Sequence, residues 1–348
     1  MSNSPMDSAI GIAKQTDAAT INTTDADFKY TQFEASSLAP TEVQRIIPRL
    51  AGSTKSLPAG FVKAGVYAAG AMDLLKCTDV IGKYLYGLMG YSTTPTASGD
   101  LHIHEYDLPA DEFDLPYFTA RRRVAGLWHE AYRGCRISGL QMTVPAADMV
   151  RFTVGITGIA PQVIANATAE ANWAISTYLD DTDPFLACAA TLTAPIADAT
   201  FVARNVVVAC ANALALDESW FVGSYYPYDL SLGGRTVAIQ CDILADADLF
   251  VKMAYDPDGT GGDAQTWTPE ILKGGAFAVE VATQADIPHT LKFEADSVND
   301  NIVWMVEPVG VRGADNKQLM RVNGVLVQSA GEQVRWTLTN GNSANDAA

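Results

Sequence analysis

The stretch RISGLQMTVPAADMVRFTV, residues 136–154, sets the fold class of this chain. Apolar Ile137, Leu140, Met142 and Val144 recur along its first run, a short Ala/Asp turn follows, and a second alternating run ends it. That pattern predicts a β-hairpin with one buried face. It has an echo in RTVAIQCDILADADLFVKM, residues 235–253, where Val237, Ile239, Cys241 and Ile243 lead into a similar Ala/Asp turn. Identity at equivalent positions is limited to Arg136/Arg235, Gln141/Gln240 and Ala146/Ala245, so the echo is one of pattern. Either two ordinary hairpins coincide, or the chain carries two similar β-domains, as an assembly subunit does.

Most of the remaining chain reads the same way. After Leu101, strand-like segments are expected at 101–106, 136–144, 149–157, 201–216, 236–243, 249–255, 276–282, 289–295, 302–311, 319–328 and 334–339. Gly233-Gly234, residues 256–263 and Asn323-Gly324 carry turn signals, the last predicting a two-residue hairpin loop. Long helices do not alternate with these strands, so antiparallel sandwiches or partial barrels are expected over a parallel βαβ sheet. One helix is predicted after Thr78 or Asp79 as cap, with Val80, Ile81, Tyr84, Leu85, Leu88 and Met89 at helical spacing and Gly90 ending it. Residues 1–30, rich in Ser, Thr, Asn, Asp and Ala, read as an N-terminal arm. The 348 residues exceed one typical domain. The expected division is an arm at 1–30, β-domains at 31–165 and 166–340, and a flexible tail at 341–348.

Charge narrows the partners. Forty acidic against 23 basic side chains give a formal net charge of -17, which argues against a protein that grips nucleic acid by neutralising phosphates. Cys77, Cys135, Cys188, Cys210 and Cys241 are odd in number and show no CxxC pair, as expected of reduced thiols in a reducing cytoplasm. No secretory signal is visible at the start, and no apolar run reaches the ~20 residues a membrane helix needs.

Chemical motifs are sparse. His102, His104 and Glu105 place an H-x-H pair on one strand face, but zinc generally takes three or four protein ligands. DPDGTGGD, residues 256–263, has Trp267 where an EF-hand loop needs its twelfth-position glutamate. Arg121, Arg122 and Arg123 follow acidic Asp107, Asp111, Glu112 and Asp114, so pairing within or between subunits is expected of them over phosphate contact. No nucleophile elbow or Walker loop is present. The expectation is no enzyme activity, no cofactor and no bound metal.

The order of segments resembles the tail tube protein, or major tail protein, of long non-contractile phage tails. The likeness runs through IGIAKQTDAAT (10–20), KYLYGLMG (83–90), LHIHEYDLPADEFDLPYFTARRRVAG (101–126) and GCRISGLQMTVPAADMVRFTVGITG (134–158), then through the second hairpin block and the last strands. The resemblance implies a mainly β fold with two tandem tail-tube-type β-sandwich or partial-barrel domains, a flanking helix and an extended N-terminal arm. It further implies a structural virion subunit made in the host cytoplasm, whose rings stack into a tube through which the genome is ejected. Partners would be the chain itself, a tape-measure protein in the lumen during assembly, the tail terminator and distal initiator proteins, and DNA in non-specific passage, with no membrane insertion. Single-domain members form sixfold rings, so a doubled chain implies three subunits per ring with pseudo-sixfold symmetry. The inner hairpins would be 136–154 and 235–253, with Asp148, Asp242, Asp246 and Asp248 facing the lumen. Ile10, Ile12, Lys14, Arg121, Arg122 and Arg123 would contact neighbouring subunits or rings. The alternatives are another phage structural component, such as a decoration or tail terminator protein, or a metal-dependent or carbohydrate-binding β-protein using His102, His104 and Glu105.

Overall fold

The structure is a computed structural model, and it describes residues 8–47, 60–74, 76–108, 115–124, 128–163, 173, 175, 177, 179–180, 182–193, 202–244, 272–273, 277–295, 302–312, 318–326 and 334–344. In chain order the strands are β1 (Ala9–Lys14), β2 (Lys29–Ser36), β3 (Ala39–Ile47), β4 (Gly60–Leu74), β5 (Thr96–Ser98), β6 (Leu101–Asp107), β7 (Phe118–Val124), β8 (Trp128–Pro145) and β9 (Arg151–Val163). They continue as β10 (Leu186–Thr193), β11 (Ala203–Ala215), β12 (Ser231–Leu244), β13 (Leu272–Lys273), β14 (Phe277–Ala282), β15 (Thr290–Ala295), β16 (Ile302–Arg312), β17 (Gln318–Leu326) and β18 (Val334–Asn340). A helix, α1 (Ile81–Met89), separates β4 from β5. The fold is mainly β, as the alternating pattern requires.

Two sheets hold these strands. The larger runs β13-β16-β17-β12-β11-β8-β7-β1-β2-β4-β3, with β9 bridging β4 and β8. That bridge closes β8, β7, β1, β2, β4 and β9 into a ring of antiparallel pairs, so this part of the sheet is a closed barrel without edges. The smaller sheet, β10-β14-β15-β18-β6-β5, faces the other end of the large sheet. One hydrophobic cluster runs from Ile10 through Phe152 and Ile239 to Trp336 and Leu338. The halves on either side of residue 165 therefore share both sheets: β8 pairs with β11, and β6 pairs with β18. The Ala/Thr-rich segment at 164–172 lies outside the described residues.

α1 fills the space between the layers. Its expected single apolar stripe is in fact almost complete burial, with Lys83 alone on the helix left out of the core. Gly90 ends it in the left-handed region at φ 89°, where a side chain would be strained. Neither Thr78 nor Asp79 caps the start. Asp180, about a hundred residues away in sequence, supplies the acceptor, its Oδ2 taking the N–H groups of Asp79 at 2.8 Å and Val80 at 3.2 Å. Asn212 ties the far end down, its Nδ2 donating to the carbonyls of Leu88 and Ile137, both at 3.0 Å.

Two expectations are corrected. Residues 9–14 are not part of a free arm: β1 lies inside the barrel wall between β2 and β7, with Ile10 and Ile12 fully buried against the main core and Ala9 and Ala13 against a second cluster holding Trp173. Burial on both faces removes the polar alternation that marks a strand in sequence. Asn323-Gly324 is not a hairpin loop, because β17 runs straight through it. The indole of Trp304 lies over Gly324, where an added Cβ would come within 2.6 Å of the ring. The glycine serves close packing, not a turn.

Candidate functional site

The feature that joins both echoed segments is the solvent face of the large sheet. Starting at β4 and crossing β9, β8, β11, β12, β17 and β16, directly paired residues form rows, the longest of which spans seven strands. One row reads Asp73, Thr153, Gln141, Ala209, Ala238, Val325, Val303. Its neighbours read Arg151, Thr143, Val207, Gln240, Asn323, Met305 and Ala71, Gly155, Gly139, Ala211, Thr236. None of these residues is buried. The rows between them, such as Met72, Val154, Leu140, Cys210, Val237, are buried throughout. The face is thus mostly uncharged, with amide and hydroxyl side chains set among Ala, Gly, Val and Met.

Its charges sit near the margins, and both of its arginines are paired. Asp242 accepts from Arg321 Nε at 2.8 Å and Nη2 at 3.4 Å, and this bond holds the Arg321 guanidinium above its ordinary range. Glu307 opposes Arg321 in register and accepts from Asn323 at 2.9 Å. Asp148, in the β8–β9 turn, lies 3.8 Å from Arg151, which also reaches Glu34 at 3.5 Å. Asp73 accepts from Thr153 Oγ1 at 2.7 Å. Exposed pairs of this kind contribute little to stability, but they cancel the field each carboxylate would cast alone. Of the four carboxylates expected to make the face acidic, Asp242 is on it and neutralised, Asp148 is at its rim beside Arg151, and Asp246 and Asp248 lie outside the described residues, as does the second run of the 235–253 hairpin.

The residues expected at subunit contacts are mostly engaged inside the chain. Ile10 and Ile12 are core residues, and Lys14 holds its ammonium over the Tyr86 ring at 5.7 Å. Arg121 is buried, with Nη1 at 2.5 Å from Asp25 and its guanidinium stacked 3.8 Å above Phe28. Arg122 pairs with Glu130 at 2.5 Å in a nearly buried bridge, and Arg123 is half-buried opposite His129 on β8. Ion pairs this enclosed position the strands that carry them.

His102 and His104 do share a face of β6, but His104 is buried, its Nε2 lying 2.8 Å from the Asn342 carbonyl and its ring stacked near Tyr106. Among the described residues no group of three His, Cys, Asp or Glu side chains is placed to hold a metal, and the loop at 256–263 lies outside them. Burial pushes the Cys135, Cys210 and Cys241 thiols up to about 12, and Cys77 well above the usual thiol range, so these four are packing groups. Cys188 is exposed.

A second surface went unread in the sequence. WFVGSYYPYDL, residues 220–230, connects β11 to β12 and presents Phe221, Val222, Tyr225 and Tyr228 to solvent. The run of aromatics was the available signal. A model of the family described as phage tail tube protein matches residues 7–295. No curated protein sequence matches the chain.

Proposed function

Since the chain belongs to the phage tail tube protein family, and so is a structural subunit of the polymer in the virion tail, we propose that three copies close into a pseudo-sixfold ring and that the seven-strand face lines its channel. The observation that supports this is the placement of both echoed segments, 136–154 and the described part of 235–253, in one uninterrupted sheet. Two hairpin-bearing halves per chain give three chains the six-part periphery that six single-domain subunits supply elsewhere. Ring closure also gives a partner to the edges at β3 and β13, which are open among the described strands.

The chemistry of the face suits passage of a polyanion. Duplex DNA carries a negative charge every ~1.7 Å along its axis, and a wall with unpaired cations would hold it by counterion release. Here Arg151 and Arg321 are each matched by carboxylates, so a phosphate finds no free cation on this face among the described residues. The Thr, Gln and Asn side chains of the rows add hydration, and the Ala, Gly, Val and Met side chains between them offer phosphate no grip. On this proposal the channel works by keeping its two arginines paired beside a modest excess of carboxylates, which repels phosphate and does not hold it. Rings stack into the tube, a tape-measure protein occupies the lumen during assembly, terminator and initiator proteins close the ends, and the genome leaves through the channel after synthesis of the subunits in the host cytoplasm.

Negative-stain electron microscopy of the concentrated chain, with rotational averaging of end-on views and mass per length, tests this directly. Hollow stacked rings with three chains each are expected. Six full-length chains per ring would overturn the stoichiometry, and filaments without a lumen would overturn the channel.

A further inference from the structure

The aromatic connection between β11 and β12 forms a built platform beside the projecting ribbon of β3 and β4. Trp220 lies against β4 so closely that a Cβ on Gly65 would fall 2.3 Å from its ring, and the Val66 N–H donates to the Tyr225 carbonyl at 3.1 Å. Phe221 and Tyr228 meet edge to face with centroids 5.5 Å apart, and Tyr228 N–H donates to the Ser219 carbonyl at 2.8 Å. The base is clamped from β7 and β8: the Tyr117 hydroxyl donates to Asp229, Arg136 donates to the Leu230 carbonyl, and the Arg136 guanidinium stacks 4.0 Å over the Tyr117 ring. A connection held at this many points is pre-organised and loses little freedom on docking.

What it presents is apolar and open. Phe221 is 61% exposed, Tyr228 74%, Val222 fully, Tyr225 42%, and Val62 on the adjoining ribbon 50%. At about 150–200 Å² for each fully exposed side chain, these five display on the order of 600 Å². That is the upper end of the ~300–600 Å² found for the largest patch on a typical monomer, and most of the ~800 Å² one partner contributes to a standard interface. Beside it β3 is the last strand of its sheet, with one edge of its backbone unpaired among the described strands. Aromatic anchors next to an open strand edge offer both parts of a specific contact, buried rings and main-chain hydrogen bonds.

We propose that this platform, with the β3 edge, is a docking surface for a second copy of the same chain, contacting it head to tail. The inference rests on the tail tube assignment, under which the abundant partner is another subunit. The area fits a protein interface, and in a chain of net charge -17 the described cations beside it, Lys63 paired with Glu42 and Arg133 held over the Tyr226 ring at 5.8 Å, do not make a free phosphate-binding cluster. A head-to-tail contact closes a ring or propagates, whereas a self-complementary one stops at a dimer.

The test compares the unaltered chain with Phe221→Ser/Val222→Ser/Tyr228→Ser by sedimentation and electron microscopy, with far-UV circular dichroism and the melting midpoint as controls. All three side chains are already exposed, so the variant is expected to fold with an unchanged spectrum. The expected result is tubes from the unaltered chain and folded monomers from the variant, with at least a tenfold rise in the concentration needed for association. Tubes formed equally by both would overturn the docking surface and leave the tail tube assignment standing. Closed dimers from the unaltered chain would overturn the head-to-tail contact. No association of either protein at any concentration overturns the surface. A variant with altered circular dichroism is replaced by Val222→Asp alone, read the same way.

Discussion

Asp180 is expected to be worth more to stability than any residue adjacent to the helix it serves. Its carboxylate is buried and accepts the two N–H groups that open α1, at 2.8 and 3.2 Å, while its other oxygen accepts the Thr182 N–H at 3.0 Å. Replacing it by alanine takes the acceptor from the half-buried Asp79 and Thr182 N–H groups, at about 1–2 kcal/mol each before relaxation, while Val80 N–H keeps the Cys77 carbonyl at 3.1 Å. It also removes a negative charge from a helix N-terminus, worth about 0.3–1 kcal/mol. Asp180→Ala should therefore cost about 2–4 kcal/mol. Asp180→Asn keeps one acceptor oxygen and loses the charge, for about 1–2 kcal/mol. Asp79→Ala, at the position that sequence alone marks as the cap, should cost under about 1 kcal/mol. Equilibrium urea denaturation of unassembled subunits, followed by tryptophan fluorescence and far-UV circular dichroism, measures all three. An Asp180→Ala cost below about 1 kcal/mol, or one no greater than that of Asp79→Ala, would refute the remote cap.

Gly324→Ala should destabilise by about 1–3 kcal/mol through overpacking and shift Trp304 fluorescence, since the new Cβ meets its ring; an unchanged midpoint would show that the indole does not rest there. The buried thiols give a defined alkaline limit. Cys135, Cys210 and Cys241 titrate near 12 in the folded chain against 9.0 when free. Below pH 9 both states hold the proton and stability is intact; from 9 toward 12 only the unfolded chain ionises, so each thiol costs up to about 1.4 kcal/mol per pH unit. Denaturation midpoints at pH 8, 9.5 and 10.5 should be flat and then fall, and a flat series would contradict the burial. Asp242→Asn frees Arg321 on the proposed channel face, so assembled tubes should retain short duplex DNA severalfold more strongly at low salt, an effect lost at high salt. Arg321→Gln should not. Equal retention by both would remove that face from the channel.

Where the sequence spoke clearly, it did so through period-two alternation against a one-sided core. β14, β15 and β18 alternate buried and half-buried with hardly a break, and each matches its expected bounds within a residue. β1 and β4 escaped for the opposite reason. AIGIAK is buried on both faces, and GFVKAGVYAAGAMDL is so rich in Ala and Gly that its buried and open positions look alike. The Asn323-Gly324 signal failed because a local preference worth about 1 kcal/mol yields to the packing of a whole indole. Asp180 could not be found at all, since a cap drawn from a hundred residues away leaves no local mark.

The proposed channel face and the core are one feature seen from two sides. Alternation that sends Leu140, Cys210, Val237 and Ile239 inward sends Gln141, Ala209 and Ala238 outward, and the antiparallel register carries each choice to the next strand. A one-residue slip of β12 against β11 would bury Gln240 and expose Ile239 and Cys241, so core hydrophobicity alone enforces which residues face out. The identity of those outward residues is a separate matter, because nothing in the core depends on them beyond strand compatibility. Wall chemistry can thus be set by what passes along it while the core holds the register. This separation is how a strongly acidic chain can carry a broad face whose charges are few and marginal and whose arginines are paired.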